Sequence, residues 1–259
     1  MIVILGGTAE GRRLATWLDG RAVLSLAGRT ERPVTVGQTR RGGFGGAAGL
    51  AAYLREHAVE AVVDATHPFA AQMSRNAAEA CAEVGVPLVR VLRPSWAGHP
   101  LADGWAWVDS HAEAAETAAG LLAGRRAGGT VGSNPLEGAV LLTVGRQHTA
   151  DYLPALGAHR VVARVAEAPD LQLPEGWEVL SSRGPFTADG ERALFGEHAV
   201  EVLVTKDSGG PMTDAKLVVA EELGVAVVVV RRPKLPAGVP EVPTVEAALE
   251  WLDHLPTPN

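Results

Sequence analysis

Two doubly wound α/β lobes, each a parallel sheet with helices on both faces and with a cleft between them, form the fold that this sequence predicts. Three observations predict it. Apolar runs of strand length, rich in Val, Leu and Ala and with little period-2 alternation, alternate with helical patterns along the whole chain. Such runs read as strands buried on both faces, and their alternation with helices implies parallel pairing. The first run, Ile2-Val3-Ile4-Leu5, passes straight into Gly6-Gly7 and then into a helical pattern. The second half of the chain also falls on the first without a gap at an offset of 139 residues: Gly6 on Gly145, Gly45 on Gly184, Thr66 on Thr205, Met73 on Met212, Gly85-Val86 on Gly224-Val225 and Arg93-Pro94 on Arg232-Pro233.

In order, the first half reads as strands over 2–5, 22–26, 34–36, 60–64, 88–91 and 105–108, with helices near 10–19, 46–57, 69–84 and 110–123. Pro68 suits the first turn of the third helix, where its missing N–H is not needed. The stretch from Gly124 to Gly138 is rich in glycine, contains Asn134-Pro135 and has few apolar residues, which marks a linker or long loop. The domain boundary is therefore expected there: a first domain over 1–128, a linker over 129–138 and a second domain over 139–259. The second half reads as strands over 139–144, 160–165, 178–182, 201–204 and 226–230, with helices near 148–155, 187–197, 211–223 and 245–253.

Composition narrows the function. With 259 residues, 47% hydrophobic and 20% charged, the chain can bury one large core or two smaller ones. No apolar run reaches bilayer length and no leader precedes the first strand, so neither a membrane span nor a signal peptide is expected. The single cysteine, Cys81, excludes a disulfide framework, fits a reducing cytoplasm and is expected to be inert packing. A net charge of −7 argues against nucleic acid, and a polyanionic ligand would have to be gripped by local cations. The eight histidines show no metal-ligand spacing, so no metal is expected. Nothing in the sequence requires more than a monomer.

The strand-turn-helix at the start is a Rossmann-like junction, which seats a pyrophosphate on a helix N-terminus. Gly6 and Gly11 take the first and sixth positions of the glycine fingerprint, and Thr8 takes the third, where a hydroxyl can hydrogen-bond a phosphate. After the second strand no carboxylate stands ready for a ribose 2′-hydroxyl. Ser25, Gly28 and Arg29 stand there instead, and a guanidinium suits a 2′-phosphate. NADP(H) is thus favoured over NAD(H). The run Gly42-Gly43-Phe44-Gly45-Gly46 lets backbone approach a ligand closely. In Asp64-Ala65-Thr66-His67-Pro68-Phe69-Ala70, His67 falls at a strand's carboxyl end, where it could orient a nicotinamide, contact substrate or supply a proton. Asp64 reads as a hydrogen-bonding residue.

The overlay is informative where the halves differ. Gly6-Gly7-Thr8 becomes Gly145-Arg146-Gln147-His148, Phe44-Gly45-Gly46 becomes Arg183-Gly184-Pro185, and His67 becomes Lys206. Arg146, His148, Arg183 and Lys206 are all expected at strand carboxyl ends, and Ser208-Gly209-Gly210 after Lys206 can form an anion-binding nest. A cofactor lobe and an anion-gripping lobe follow.

Together, Gly6-Gly7-Thr8-Ala9-Glu10-Gly11, Ala27-Gly28-Arg29, Gly42 to Gly46, Asp64 to Ala70, Arg183-Gly184-Pro185-Phe186 and Lys206-Asp207-Ser208-Gly209-Gly210 resemble the precorrin-6A reductase family of cobalamin biosynthesis. The resemblance implies NADPH-dependent reduction of precorrin-6A to its dihydro form, precorrin-6B, by hydride transfer to one conjugated carbon of the tetrapyrrole. It implies cofactor contacts from Gly6, Gly7, Thr8, Glu10, Ser25, Gly28, Arg29, Gly45, Thr66 and His67. The acetate and propionate arms would meet Arg146, Gln147, His148, Arg183, Lys206, Ser208, Gly209 and Gly210. His67 and Lys206 are the candidates for supplying the proton. A cobalt-precorrin-6A reductase of the anaerobic branch, a two-lobed nucleotide-sugar glycosyltransferase and a non-catalytic NADP-binding module are the alternatives.

Overall fold

The computed structural model describes residues 1–28, 37–127, 138–210 and 214–255. Its elements in chain order are β1 (Ile2–Leu5), α1 (Ala9–Trp17), β2 (Ala22–Leu26), β3 (Gln38–Arg41), α2 (Ala47–Glu56), β4 (Ala61–Asp64), α3 (Ala71–Val84), β5 (Leu88–Val91), β6 (Ala106–Val108) and α4 (His111–Ala127). They continue with β7 (Ala139–Leu142), a 3₁₀ segment (Arg146–Tyr152), α5 (Leu153–Leu156), β8 (Arg160–Val165), β9 (Trp177–Ser181), α6 (Ala188–Glu197), β10 (Val200–Lys206), α7 (Ala215–Glu222), β11 (Ala226–Val230), β12 (Glu241–Val242) and α8 (Val245–Asp253).

The chain divides into two compact units. The first comprises Met1–Pro94 and Pro233–Asn259, the second Ser95–Arg232. Each holds one six-stranded sheet, in the order β12-β5-β4-β1-β2-β3 and β6-β11-β10-β7-β8-β9. Every pairing is parallel. Helices cover both faces: α1 and α8 pack together in the first unit, as do α2 and α3, while α4 packs with α5 and α6 with α7 in the second. All residues of β1, β2, β4, β5 and β7 are buried, which is why these strands lack an alternating pattern. The expected α/β class is therefore the observed one.

Local chemistry sets the helix starts. Thr8, Thr187 and Thr244 each accept the backbone N–H three residues on, at 3.2 Å, and so cap α1, α6 and α8. Each cap stabilises its helix by about 1 kcal/mol. Gly85, at φ +76, closes α3 by returning its N–H to the Cys81 carbonyl.

The division into units differs from the boundary expected at 129–138. β6 and α4 belong to the second sheet, and the chain returns to the first unit after Arg232 to lay β12 beside β5. Packing explains this. Trp96, Ala102 and Trp105 lie in the apolar core of the second sheet, whereas Val245, Ala248 and Leu252 lie in that of the first. The glycine-rich stretch separates α4 from β7 inside one unit. The matched pairs Arg93-Pro94 and Arg232-Pro233 stand at the two points where the chain passes from one unit to the other. The strand expected at 34–36 falls outside the described residues, and the third strand is β3. The helix expected at 148–155 is a 3₁₀ segment followed by the short α5. Among the described residues no helix is long and apolar enough to cross a membrane.

Candidate active site

In each sheet the chain winds outward to one side and then resumes on the other, so the order reverses between β1 and β4 and between β7 and β10. Ligands bind at the carboxyl ends of strands beside such a reversal. The candidate residues lie on the turns that leave these four strands or on turns close by.

At the first reversal, backbone approaches backbone. A side chain on Gly11 would begin 3.2 Å from the Gly6 Cα, and one on Gly6 would begin 2.5 Å from the Leu24 Cδ1. Gly7 has φ +122 and no atom within 4 Å of where its side chain would start. The turn is therefore open on the Gly7 side, next to the first-turn N–H groups of α1, and it fits the pyrophosphate of a dinucleotide. Glu10 faces Arg93 at 3.5 Å, and its Oε2 is buried without a hydrogen-bond partner, so it can accept from a ligand hydroxyl.

Two expectations change here. The Thr8 hydroxyl donates to the Ala65 carbonyl at 2.7 Å while capping α1, so its proton is committed to joining the β1 and β4 turns and not to a phosphate. Ser25 accepts from Arg40 at 2.9 Å. Arg40, which sequence reading passed over, also donates to the carbonyls of Gly42 and Gly43, and its guanidinium lies 3.8 Å from the Phe44 ring centroid. It fixes the first half of the glycine run. The adjacent Arg40-Arg41 and Gly42 were a signal, hidden because the strand was read too early. Arg29 lies outside the described residues. Gly28, at φ +74, packs against Gly42, and Gly45 has φ +79.

Gly49 was also missed. A side chain there would overlap the Phe44 carbonyl, so α2 holds the glycine turn by direct backbone contact. Gly49→Ala is expected to displace Phe44 from Arg40 and lower the melting temperature, read by thermal denaturation.

After β4, Asp64 acts as expected. Its Oδ1 accepts from the backbone N and hydroxyl of Thr66, and its Oδ2 from Ser74. His67 is half-buried, and its Nδ1 accepts from the Phe69 N–H at 3.2 Å, which leaves Nε2 to carry the proton. Cys81 is buried, and burial followed by the charge of Asp64 pushes its thiol up to about 12, so it is inert.

At the second reversal, side chains take the place of glycine. Gly145, at φ +82, leads into the 3₁₀ segment that carries Arg146, Gln147 and His148. Arg146 and Arg183, from the turns after β7 and β9, pair with the two oxygens of one carboxylate, Glu167, at 3.0 and 2.9 Å. Lys206 ends β10 close to Gly145, and Ser208, Gly209 (φ +63) and Gly210 (φ +74) follow it. The structure also brings His111, from the start of α4, against His148 and Tyr152. No sequence signal marked His111, because α4 was assigned to the other domain. Among the described residues no group of three or more His, Cys, Asp or Glu could hold a metal ion.

Comparison with known proteins follows the same lines. A family model described as "Precorrin-6x reductase CbiJ/CobK" matches residues 1–253. A precorrin-6A reductase of Rhodococcus erythropolis is 44% identical over 259 residues, covering 98% of each chain. A cobalt-precorrin-6A reductase of Priestia megaterium is 32% identical over 278 residues, covering 98% of this chain and 97% of that one. A solved structure described as CobK precorrin-6A reductase superposes with a TM-score of 0.83 at 38% identity, covering 100% of this chain and 98% of that one.

Proposed function

The chain belongs to the precorrin-6x reductase family, and from that premise we propose that it reduces precorrin-6A to precorrin-6B with NADPH in cobalamin biosynthesis. One observation carries the reading: two sheets that share the order of five of their six strands end differently at their reversals, one in an open glycine turn and the other in cations. The glycine turn suits a dinucleotide. The cations suit a macrocycle fringed with carboxylates, and Glu167 already shows that Arg146 and Arg183 can share one carboxylate. Gly6, Gly7 and the first turn of α1 would hold the pyrophosphate. Arg29 remains the sequence candidate for the 2′-phosphate, beside Ser25, Gly28, Gly45 and Arg40. Thr66 and His67 would stand beside the nicotinamide. The bound cofactor supplies the hydride, and the protein orients the reactants and excludes water.

The metal-free substrate is preferred because the relative named for it is 44% identical, against 32% for the one named for the cobalt form. The glycosyltransferase and cofactor-sensing alternatives lose ground because the family is one of reductases. The protein is expected to act on a small-molecule tetrapyrrole in the cytoplasm.

The test is direct. Mixed with precorrin-6A, the protein should oxidise NADPH in preference to NADH and yield a product two hydrogens heavier. No oxidation, or equal use of NADH, would overturn the reading or its cofactor. Each charge-assisted contact to a carboxylate is worth about 1.5–3 kcal/mol. Arg146→Ala and Arg183→Ala should therefore each raise KM for precorrin-6A roughly 10- to 100-fold with little change in kcat.

A further inference from the structure

The second reversal carries more titratable chemistry than gripping carboxylates requires. Lys206 leans over the turn after β7, its Nζ 3.8 Å from the point where a side chain on Gly145 would begin. His111 and His148 stack there with ring centroids 3.8 Å apart and planes 16° from parallel. The His111 Nδ1 lies 2.8 Å from the hydroxyl of fully buried Tyr152, and the His148 Nδ1 lies 2.9 Å from Asp151 Oδ2. The next carboxylate on the chain, Asp207, is committed to Ser95, Trp96 and Arg232. A stacked histidine pair fixed at both edges, beside a lysine at a strand reversal, is a proton-handling arrangement.

We propose that Lys206, from its place over the Gly145 turn, delivers the proton that completes the reduction. The inference rests on the reductase reading and deepens it. A reduced nicotinamide held at the Gly6-Gly7 turn would supply a hydride, which would form a C–H bond at one carbon as a π bond of the macrocycle breaks. The electron pair of that bond, left on the neighbouring atom, would take a proton from Nζ, so that the ammonium becomes an amine while the two electrons come from oxidation of the nicotinamide. Solvent then returns a proton to the Lys206 amine.

Electrostatics agree with the geometry. Burial lowers Lys206 to about 8, so the ammonium is present at neutral pH yet gives up its proton readily. Burial first, then His148 and Lys206, push His111 down to about 4, so it is neutral when Lys206 is charged and can take part in a hydrogen bond without competing for the charge. Burial pushes the Tyr152 phenol up, so it stays protonated.

The chain has three lysines, Lys206, Lys216 and Lys234, so a protein labelled at lysine Cε gives few resonances to titrate. In the free protein the Lys206 signal should titrate near pH 8, below the ordinary lysine range, because the side chain is buried. Turnover should fall on the alkaline side as Lys206 loses its proton. Lys206→Met should lower kcat at least about 100-fold, the low end for general acid–base catalysis, leave NADPH affinity unchanged and abolish the alkaline limb near pH 8. Lys206→Arg keeps the charge and should not restore kcat, since guanidinium does not give up its proton. A Lys206 midpoint above 10, or a Lys206→Met variant with wild-type kcat or an unchanged alkaline limb, overturns the proposal. Wild-type protein that leaves NADPH unoxidised by precorrin-6A sinks the reading and the proposal together; wild-type turnover with an indifferent Lys206→Met sinks the proposal alone.

Discussion

Asp64→Ala is expected to lower the unfolding free energy by about 3–5 kcal/mol, the usual cost of leaving one partner of a buried ion pair behind. Arg90 on β5 is 2% exposed and lies 3.4 Å from Asp64, which is 1% exposed. The other partner of Arg90 is Glu241 on β12, at 2.8 Å and 46% exposed, and the Arg90 Nη2 already lacks a hydrogen-bond partner. Removing Asp64 leaves a buried guanidinium held only from the solvent side. It also strips Thr66 and Ser74 of their acceptor, so the turn carrying His67 loses its anchor. Denaturant unfolding should show the loss, with Asp64→Asn, which keeps an acceptor but not the charge, falling between. A loss below about 1 kcal/mol, the range of an exposed pair, would mean that the network does not hold the first unit together.

The second large effect should fall on binding and not on folding. Gly7→Val places a β-branched side chain at φ +122, a strain of about 1–3 kcal/mol. No neighbour stands within 4 Å to clash with the new Cβ, so the fold should survive. What the valine fills is the open side of the turn, where the pyrophosphate is proposed to sit. NADPH affinity should drop at least about 100-fold, which is about 2.8 kcal/mol, while the circular dichroism spectrum stays that of the wild type. An unchanged dissociation constant would place the phosphates elsewhere.

Much of the first unit's site was legible because its signals are local. Ile2 to Gly11 lie in one strand, one turn and one helix start; the Gly6 backbone explains Gly11 and a positive φ explains Gly7, while Gly6 itself is crowded by the Leu24 side chain of the neighbouring strand. The hidden parts are those whose partners come from afar. Thr8 reads as a phosphate donor until the Ala65 carbonyl, on the turn after β4, accepts its hydrogen bond. Ser25 reads as a ligand contact until Arg40 arrives from β3. Arg146 and Arg183 read as two separate cations, and only the strand order of the second sheet puts them on one carboxylate.

The sequence by itself determined the alternation of strand and helix, the parallel sheets and the glycine turn, because a strand buried on both faces must be apolar along its length and a tight turn must lack side chains. Tertiary structure alone decided which unit took β6 and α4 and which took β12 and α8. The edges of two parallel sheets offer the same backbone groups, so the choice falls to whichever core receives Trp96 and Trp105 or Val245 and Leu252. The same choice sets His111 beside His148 and Tyr152, a meeting that no pattern along the chain could encode.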